Sequence, residues 1–102
     1  MGKLSLDLSP ETEKSMRSVL SHYADIDEFF RSVLQYQGIQ LSNEIIQFQS
    51  EMTDFEKKYN ISTPDFYQKY KKGQMGDSED TLLWAGVYEL YLENKNKLSE
   101  LQ

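Results

Sequence analysis

The sequence of 102 residues contains no cysteine, a single histidine and only two prolines. Without cysteine the chain forms neither disulfides nor thiolate metal sites, and one histidine leaves little material for a His-ligated metal site or a nucleophile triad. We therefore expect a protein that is not an enzyme and that binds no metal or cofactor. The sequence also lacks an apolar run of about 18 residues and a secretory leader, which predicts a cytoplasmic protein without a membrane partner.

Acidic residues outnumber basic ones by 17 to 11, which gives a formal net charge of −6. Residues 1–40 hold four basic and six acidic residues, and residues 41–102 hold seven and eleven. The negative field of such a chain repels phosphate at long range, so a contact with nucleic acid would need a local basic site. A basic protein is therefore a better-suited partner than a nucleic acid. A chain this short buries a modest share of its surface, so we also expect a homodimer.

Residues 3–8 alternate polar and apolar side chains, with Leu4, Leu6 and Leu8 on one face. This period of two predicts a short strand. A lone strand needs a partner, and in a chain otherwise predicted to be helical that partner is the same strand of a second copy, paired antiparallel about a two-fold axis. The predicted fold is thus mainly α, with one N-terminal strand that forms an intersubunit ribbon.

Helix-capping signals and helical spacing predict five helical segments after this strand. The first begins at Ser9-Pro10 and runs to about Tyr23, and after a break at 24–27 Asp25 and Glu28 form a capping box for the second. Gly38 is predicted to end or bend that helix, and the sequence leaves open whether the helix continues through it to Tyr59. Apolar residues then recur at steps of four and three from Leu41 to Tyr59, which predicts a packed helix. Further helices begin at Ser62-Thr63-Pro64, closing at Gly73, and at Asp77-Ser78.

The segment Lys-Leu-Ser-Leu-Asp-Leu-Ser-Pro-Glu, residues 3–11, together with two predicted helices, resembles the start of ribbon-helix-helix repressors and antitoxins. The resemblance covers about residues 3–37. It implies a ribbon-helix-helix-like dimer in which Lys3, Ser5 and Asp7 face the bases of operator DNA in the major groove. Residues 1–40 would then be the dimerisation and DNA-binding region, and residues 41–102 the partner-binding region.

Two features of this chain depart from the DNA-binding pattern of that family. The Asp7 carboxylate accepts from cytosine but is repelled by phosphate. Asp25, Asp27 and Glu28 occupy the helix start where the resemblance places a phosphate. The ribbon fold is therefore implied more directly than operator binding.

Aromatic residues are concentrated in the C-terminal region, where Tyr and Trp are the side chains that most often anchor protein interfaces. Six are candidate partner-binding residues: Phe66, Tyr67, Tyr70, Trp84, Tyr88 and Tyr91. The order of Phe-Glu-Lys-Lys-Tyr, Phe-Tyr, Gly-Gln-Met-Gly-Asp and Trp-Ala-Gly-Val-Tyr-Glu is similar to a C-terminal segment of small prokaryotic proteins, some of them from toxin–antitoxin pairs. The same aromatics could equally form the protein's own core.

Charge divides this region, because residues 57–72 are rich in lysine and residues 77–93 hold five acidic residues and no base. The two stretches could pair with each other, or the acidic one could dock a basic toxin. Together with the two resemblances, these features predict the antitoxin of a type II pair, which neutralises a small basic toxin by occlusion and represses its own operon. The alternatives are a DNA-binding regulator without a toxin and a non-catalytic helical adaptor.

Overall fold

Four α-helices make up the computed structural model of the protein, which describes residues 2–102. They are α1 (Pro10–Leu20), α2 (Ile26–Tyr59), α3 (Thr63–Lys71) and α4 (Glu79–Leu101). The prediction of a mainly α protein is confirmed. Among the described residues no helix is both long and apolar enough to span a membrane.

The strand predicted for residues 3–8 is absent from the structure of the single chain. Residues 2–9 have no regular secondary structure, and Leu4 is 77% exposed. A strand gains its hydrogen bonds from a neighbouring strand, and none of the described residues provides one. The alternating pattern is therefore insufficient to form a strand within one copy.

Serine caps begin three of the helices, as predicted. The hydroxyls of Ser9, Ser62 and Ser78 each accept from a backbone N–H three residues further on, at 3.2 or 3.3 Å. Proline follows within the first two positions of α1 and α3, where its missing N–H removes no helical hydrogen bond. Local side-chain chemistry thus determines these helix starts.

The turn between α1 and α2 also follows the predicted capping pattern, with two differences. α1 ends at Leu20, three residues before the predicted Tyr23. Asp25 Oδ1 accepts from the Glu28 N–H at 2.7 Å, and the Glu28 carboxylate accepts from the N–H of Ala24, the residue before the cap, at 2.9 Å. Reciprocal capping therefore fixes the start of α2.

Gly38 neither ends nor marks a break in the second helix, which corrects the prediction. α2 runs unbroken through Gly38 and is 34 residues long, so the two helices predicted on either side of Gly38 are one helix. A glycine in a helix interior costs about 1 kcal/mol relative to alanine. That cost is too small to stop a helix whose following residues pack an apolar side against the rest of the C-terminal fold.

The chain forms two compact units, Met1–Gln35 and Tyr36–Gln102. In the first, no described side chain is buried, and the aromatic rings of Tyr23 and Phe29 meet edge to face at 5.3 Å. In the second, the C-terminal part of α2 packs with α3 and α4 around a core of Met52, Phe66, Trp84 and Ala85. The stable hydrophobic core of the molecule thus belongs to the C-terminal unit.

Candidate protein-interaction surface

Two of the six aromatic residues predicted to contact a partner lie in the core. Phe66 and Trp84 are each only 1% exposed, so this conformation offers neither of them to a partner. Their rings stack with centroids 3.8 Å apart and planes 8° apart. Phe66 and Trp84 are therefore corrected from surface anchors to core residues, because α3 and α4 pack against each other through these two rings.

A chain of hydrogen bonds holds Trp84 in place. Its indole Nε1–H donates to Thr63 Oγ1 at 3.0 Å, inside the core. The Thr63 N–H in turn donates to a carboxylate oxygen of Glu56 on α2 at 2.7 Å. Because a buried indole N–H needs an acceptor, these bonds tie α2, α3 and α4 to one arrangement. In the sequence Thr63 stands only within a helix-start signal, so its role as the acceptor for Trp84 was not predicted.

The other four candidate aromatics form a continuous row at the surface, which we call the tyrosine ladder. Its members are Tyr70 and Tyr67 on α3 and Tyr88 and Tyr91 on α4. Successive ring centroids in that order are 5.8, 4.9 and 6.4 Å apart. All four side chains are half-buried, so each ring has one side on the core and presents part of its surface to solvent. The structure therefore brings these four predicted residues together.

Charged side chains of both signs flank the ladder. The Tyr67 hydroxyl donates to Glu89 Oε1 at 2.8 Å, and this bond raises the pKa of Tyr67 above its ordinary value. The ammonium groups of Lys71 and Lys95 lie 5.5 and 5.3 Å from the ring centroids of Tyr67 and Tyr91. A ladder fixed by these contacts loses little side-chain entropy on binding, which favours its use as a preformed anchor.

An open groove of about 650 Å³ adjoins one end of the ladder. Tyr88, Tyr91 and Leu92 of α4 line one part of it, and polar residues of α2, including Gln49 and Thr53, line another. Leu92 was not among the predicted site residues. Its spacing of four from Tyr88 along one helix face is the signal that would have found it.

One lysine of the basic stretch and one acid of the acidic stretch form an ion pair within the described chain. Lys58 Nζ lies 2.7 Å from Asp80 Oδ2, and the Tyr59 hydroxyl donates to the same carboxylate. These hydrogen bonds lower the pKa of Asp80 and raise those of Lys58 and Tyr59. Part of the acidic stretch is therefore already engaged inside the C-terminal unit.

The residues predicted to contact DNA are all exposed and lie in the segment without regular structure. Lys3, Ser5 and Asp7 all belong to residues 2–9 and are exposed. At the start of α2, Asp25 is engaged as a cap. Across residues 2–102 the structure places no three His, Asp or Glu side chains so that they could hold a metal ion.

Comparison with known proteins adds no relative: no protein-family model matches the chain, and no curated protein or solved structure is similar to it.

Proposed function

We propose that this protein is a non-catalytic inhibitor, the antitoxin of a type II toxin–antitoxin pair, that neutralises a small basic toxin by covering its surface. The observation that supports this proposal is the tyrosine ladder. It places four adjoining tyrosine rings, each partly accessible, on a unit whose core is filled by other residues. Tyrosine combines a large apolar ring with a polar hydroxyl and few rotatable bonds, and it is enriched at the centres of protein interfaces.

Charge favours a basic partner for this surface. The whole chain carries a net charge of −6. A partner of opposite sign approaches such a protein faster and is selected over acidic competitors. The residues beside the ladder include Lys71 and Lys95 as well as Glu89, so the local charge is mixed. The proposal of a basic toxin is therefore supported by the net charge of the whole chain and not by the residues beside the ladder.

The proposal includes a homodimer formed by the N-terminal segment, which would bind operator DNA in the cytoplasm. Leu4, Leu6 and Leu8 are all exposed in the single chain, and pairing with a second copy would give their alternating pattern the partner strand that it lacks. In that ribbon Lys3, Ser5 and Asp7 would occupy the face opposite the leucines. Binding to DNA would then depend on dimerisation and would fall with salt.

The test is affinity purification of the tagged protein from its native cells, with and without nuclease, and identification of any protein recovered in stoichiometric amount. A small basic protein should remain after nuclease treatment and should arrest growth when expressed alone, and co-expression of this chain should restore growth. Tyr91→Ala should weaken binding of that purified protein by about 2 kcal/mol, or roughly 30-fold. Tyr36→Ala serves as the matched control, since Tyr36 is 59% exposed on α2 outside the ladder.

Three results would contradict parts of the proposal. Equal affinity of the Tyr91→Ala and Tyr36→Ala variants would exclude the ladder as the anchor. Recovery of DNA alone, lost with nuclease and weakened by Lys3→Ala, would indicate a regulator without a toxin. A recovered protein that has no effect on growth would indicate an adaptor.

A further inference from the structure

The side of α4 that faces away from the core carries a regular row of residues, which we call the outer face of α4. Its members follow one another at steps of four and three: Glu79, Leu83, Gly86, Leu90, Glu93 and Lys97. This is the spacing of a helix–helix seam. Leu83 and Leu90 are 52% and 47% exposed, whereas Trp84, on the opposite side of the helix, is buried.

Gly86 lies in the middle of the outer face, and nothing within the C-terminal unit explains it. A Cβ atom at Gly86 would meet no atom within 4 Å apart from the helix's own nearby backbone. Glycine lowers the stability of a helix interior, since it restricts the unfolded chain less than alanine does. Without a side chain at Gly86, another helix could approach α4 more closely here than at its neighbours.

The outer face is complementary to itself when a second copy runs antiparallel about residue 88. In that register Glu79 lies opposite Lys97 of the second copy, Gly86 lies opposite Leu90, and Leu83 lies opposite Glu93, twice each because of the two-fold symmetry. The Glu93 carboxylate also pairs with Lys97 of its own helix. Sliding the helices so that Leu83 meets Leu90 instead brings Glu79 close to Glu93 of the second copy. Charge therefore selects the register that pairs leucine with glycine.

We propose that this protein associates with a second copy of itself through the outer face of α4, antiparallel, with Leu90 of each copy seated at Gly86 of the other. Leu82 and Leu83, both about half exposed, precede Gly86 by four and three residues and therefore lie beside it on the helix surface. Association in this register would cover three exposed leucines on each copy, Leu82, Leu83 and Leu90, together with the half-buried Gly86. The charges of Glu79 and Lys97 at the two ends of the outer face, and Gly86 near its centre, are the features that favour a second copy of the chain as the partner.

This interface is separate from the proposed antitoxin function. It uses the side of α4 opposite Tyr88 and Tyr91, so association leaves the tyrosine ladder uncovered. It also uses none of residues 1–35, so it is independent of a ribbon formed by the N-terminal segment.

The test is zero-length carbodiimide cross-linking of an equimolar mixture of 14N- and 15N-labelled full-length protein. Peptides that join Glu79 to Lys97 should appear with hybrid isotope masses, which only two copies can produce. The bond that carbodiimide forms between Glu93 and Lys97, which are 3.1 Å apart in one chain, should show parental masses only and provides an internal control.

Two variants complete the test. Gly86→Ala should reduce the yield of the hybrid Glu79–Lys97 peptide about tenfold or more, because a methyl group fills the space that Leu90 requires. The same variant should melt at a higher temperature than the natural sequence in dilute solution, where single copies dominate, so misfolding cannot explain the loss. Leu92→Ala, a comparably exposed leucine on another side of α4, should leave the yield unchanged.

The proposal is overturned if no hybrid Glu79–Lys97 peptide forms at high protein concentration. It is also overturned if Gly86→Ala raises the melting temperature while the yield of that peptide stays the same. Either result would leave toxin binding by the ladder untouched, because Tyr91→Ala tests that function with a different readout.

Discussion

Trp84 has two requirements in the core, an aromatic surface to stack on and an acceptor for its N–H. Phe66 and Phe55 provide the stacking, with ring centroids 3.8 and 5.4 Å away, and Thr63 provides the acceptor at 3.0 Å. Trp84→Ala should therefore lower the free energy of unfolding by about 3–5 kcal/mol. Thr63→Val should lower it by about 1–3 kcal/mol, because it leaves the buried indole N–H unpaired.

Urea unfolding followed by far-ultraviolet circular dichroism measures both changes. Tyr36→Ala is the surface control and should alter stability by no more than about 0.5 kcal/mol. A Trp84→Ala variant with the midpoint of the natural sequence would contradict the assignment of Trp84 to the core.

At the residue scale, the sequence predicted where aromatic side chains recur but not which of them are buried in the core. Helical spacing puts Trp84, Tyr88 and Tyr91 near one side of α4, and it carries no information on which helix packs there. α3 covers Trp84 and leaves Tyr88 and Tyr91 partly open, a difference that depends on the angle at which two helices cross. Tertiary packing thus separated two of the six predicted anchors from the other four.

The Asp80 carboxylate should make stability depend on pH. Hydrogen bonds from Lys58 and Tyr59 lower the pKa of Asp80 below its ordinary 3.8. A group whose pKa is lower in the folded state stabilises the fold above its unfolded pKa, and this contribution disappears as pH falls through the folded value. The raised pKa of Lys58 acts in the opposite sense, so its contribution is complete below 10.5 and is lost as pH rises further.

Unfolding of the natural sequence and of Asp80→Asn should therefore be compared at pH 7 and below pH 3. The variant should be the less stable protein at pH 7, and the difference should shrink at the lower pH. A difference that stays constant across this range would show that the carboxylate's charge does not contribute.

At the element scale, the helix starts could be read from the sequence because a cap is a local interaction. The hydroxyls of Ser9, Ser62 and Ser78 bond only to residues three positions away, so the nearby sequence is sufficient to predict each cap. The strand at residues 3–8 was not found because a ladder of hydrogen bonds requires a second strand. The prediction at Gly38 was wrong because it used only the low helix propensity of glycine, which costs about 1 kcal/mol. It did not include the tertiary packing that stabilises α2 on the C-terminal side of Gly38.

Gly38 provides a test of that balance within α2. A Cβ built at this position would lie 3.9 Å from Leu98 Cδ1, an ordinary van der Waals distance. Gly38→Ala should therefore raise the free energy of unfolding by about 0.4–1 kcal/mol. Gly73→Ala is the contrasting variant, since Gly73 has φ of +73° where α3 ends, and alanine there should destabilise the fold.

Urea midpoints of the two variants give the comparison directly. Loss of stability in Gly38→Ala would mean that α2 is bent or closely approached at this residue, as the sequence alone suggested.

At the scale of the whole molecule, the C-terminal unit has a hydrophobic core and the described residues of the N-terminal unit form none. All of the core residues and the side chains packed on them lie between Met52 and Tyr91. Residues 2–35 contain no buried side chain, although they include several apolar residues such as Leu4 and Ile26, which are 77% and 58% exposed. Burial of apolar area is the main source of folding free energy, so the two units should differ widely in stability.

Removal of residues 1–25 tests this division, because it takes away α1 and the N-terminal segment and leaves every core residue in place. The shortened chain should unfold in urea at the midpoint of the full chain, with Trp84, the only tryptophan, reporting by fluorescence. Phe66→Leu in the full chain is the control and should lower the midpoint, since it leaves a cavity beside Trp84. A lower midpoint for the shortened chain would show that residues 1–25 stabilise the C-terminal core, and the N-terminal unit would then be part of the fold and not an arm available for pairing with a second copy.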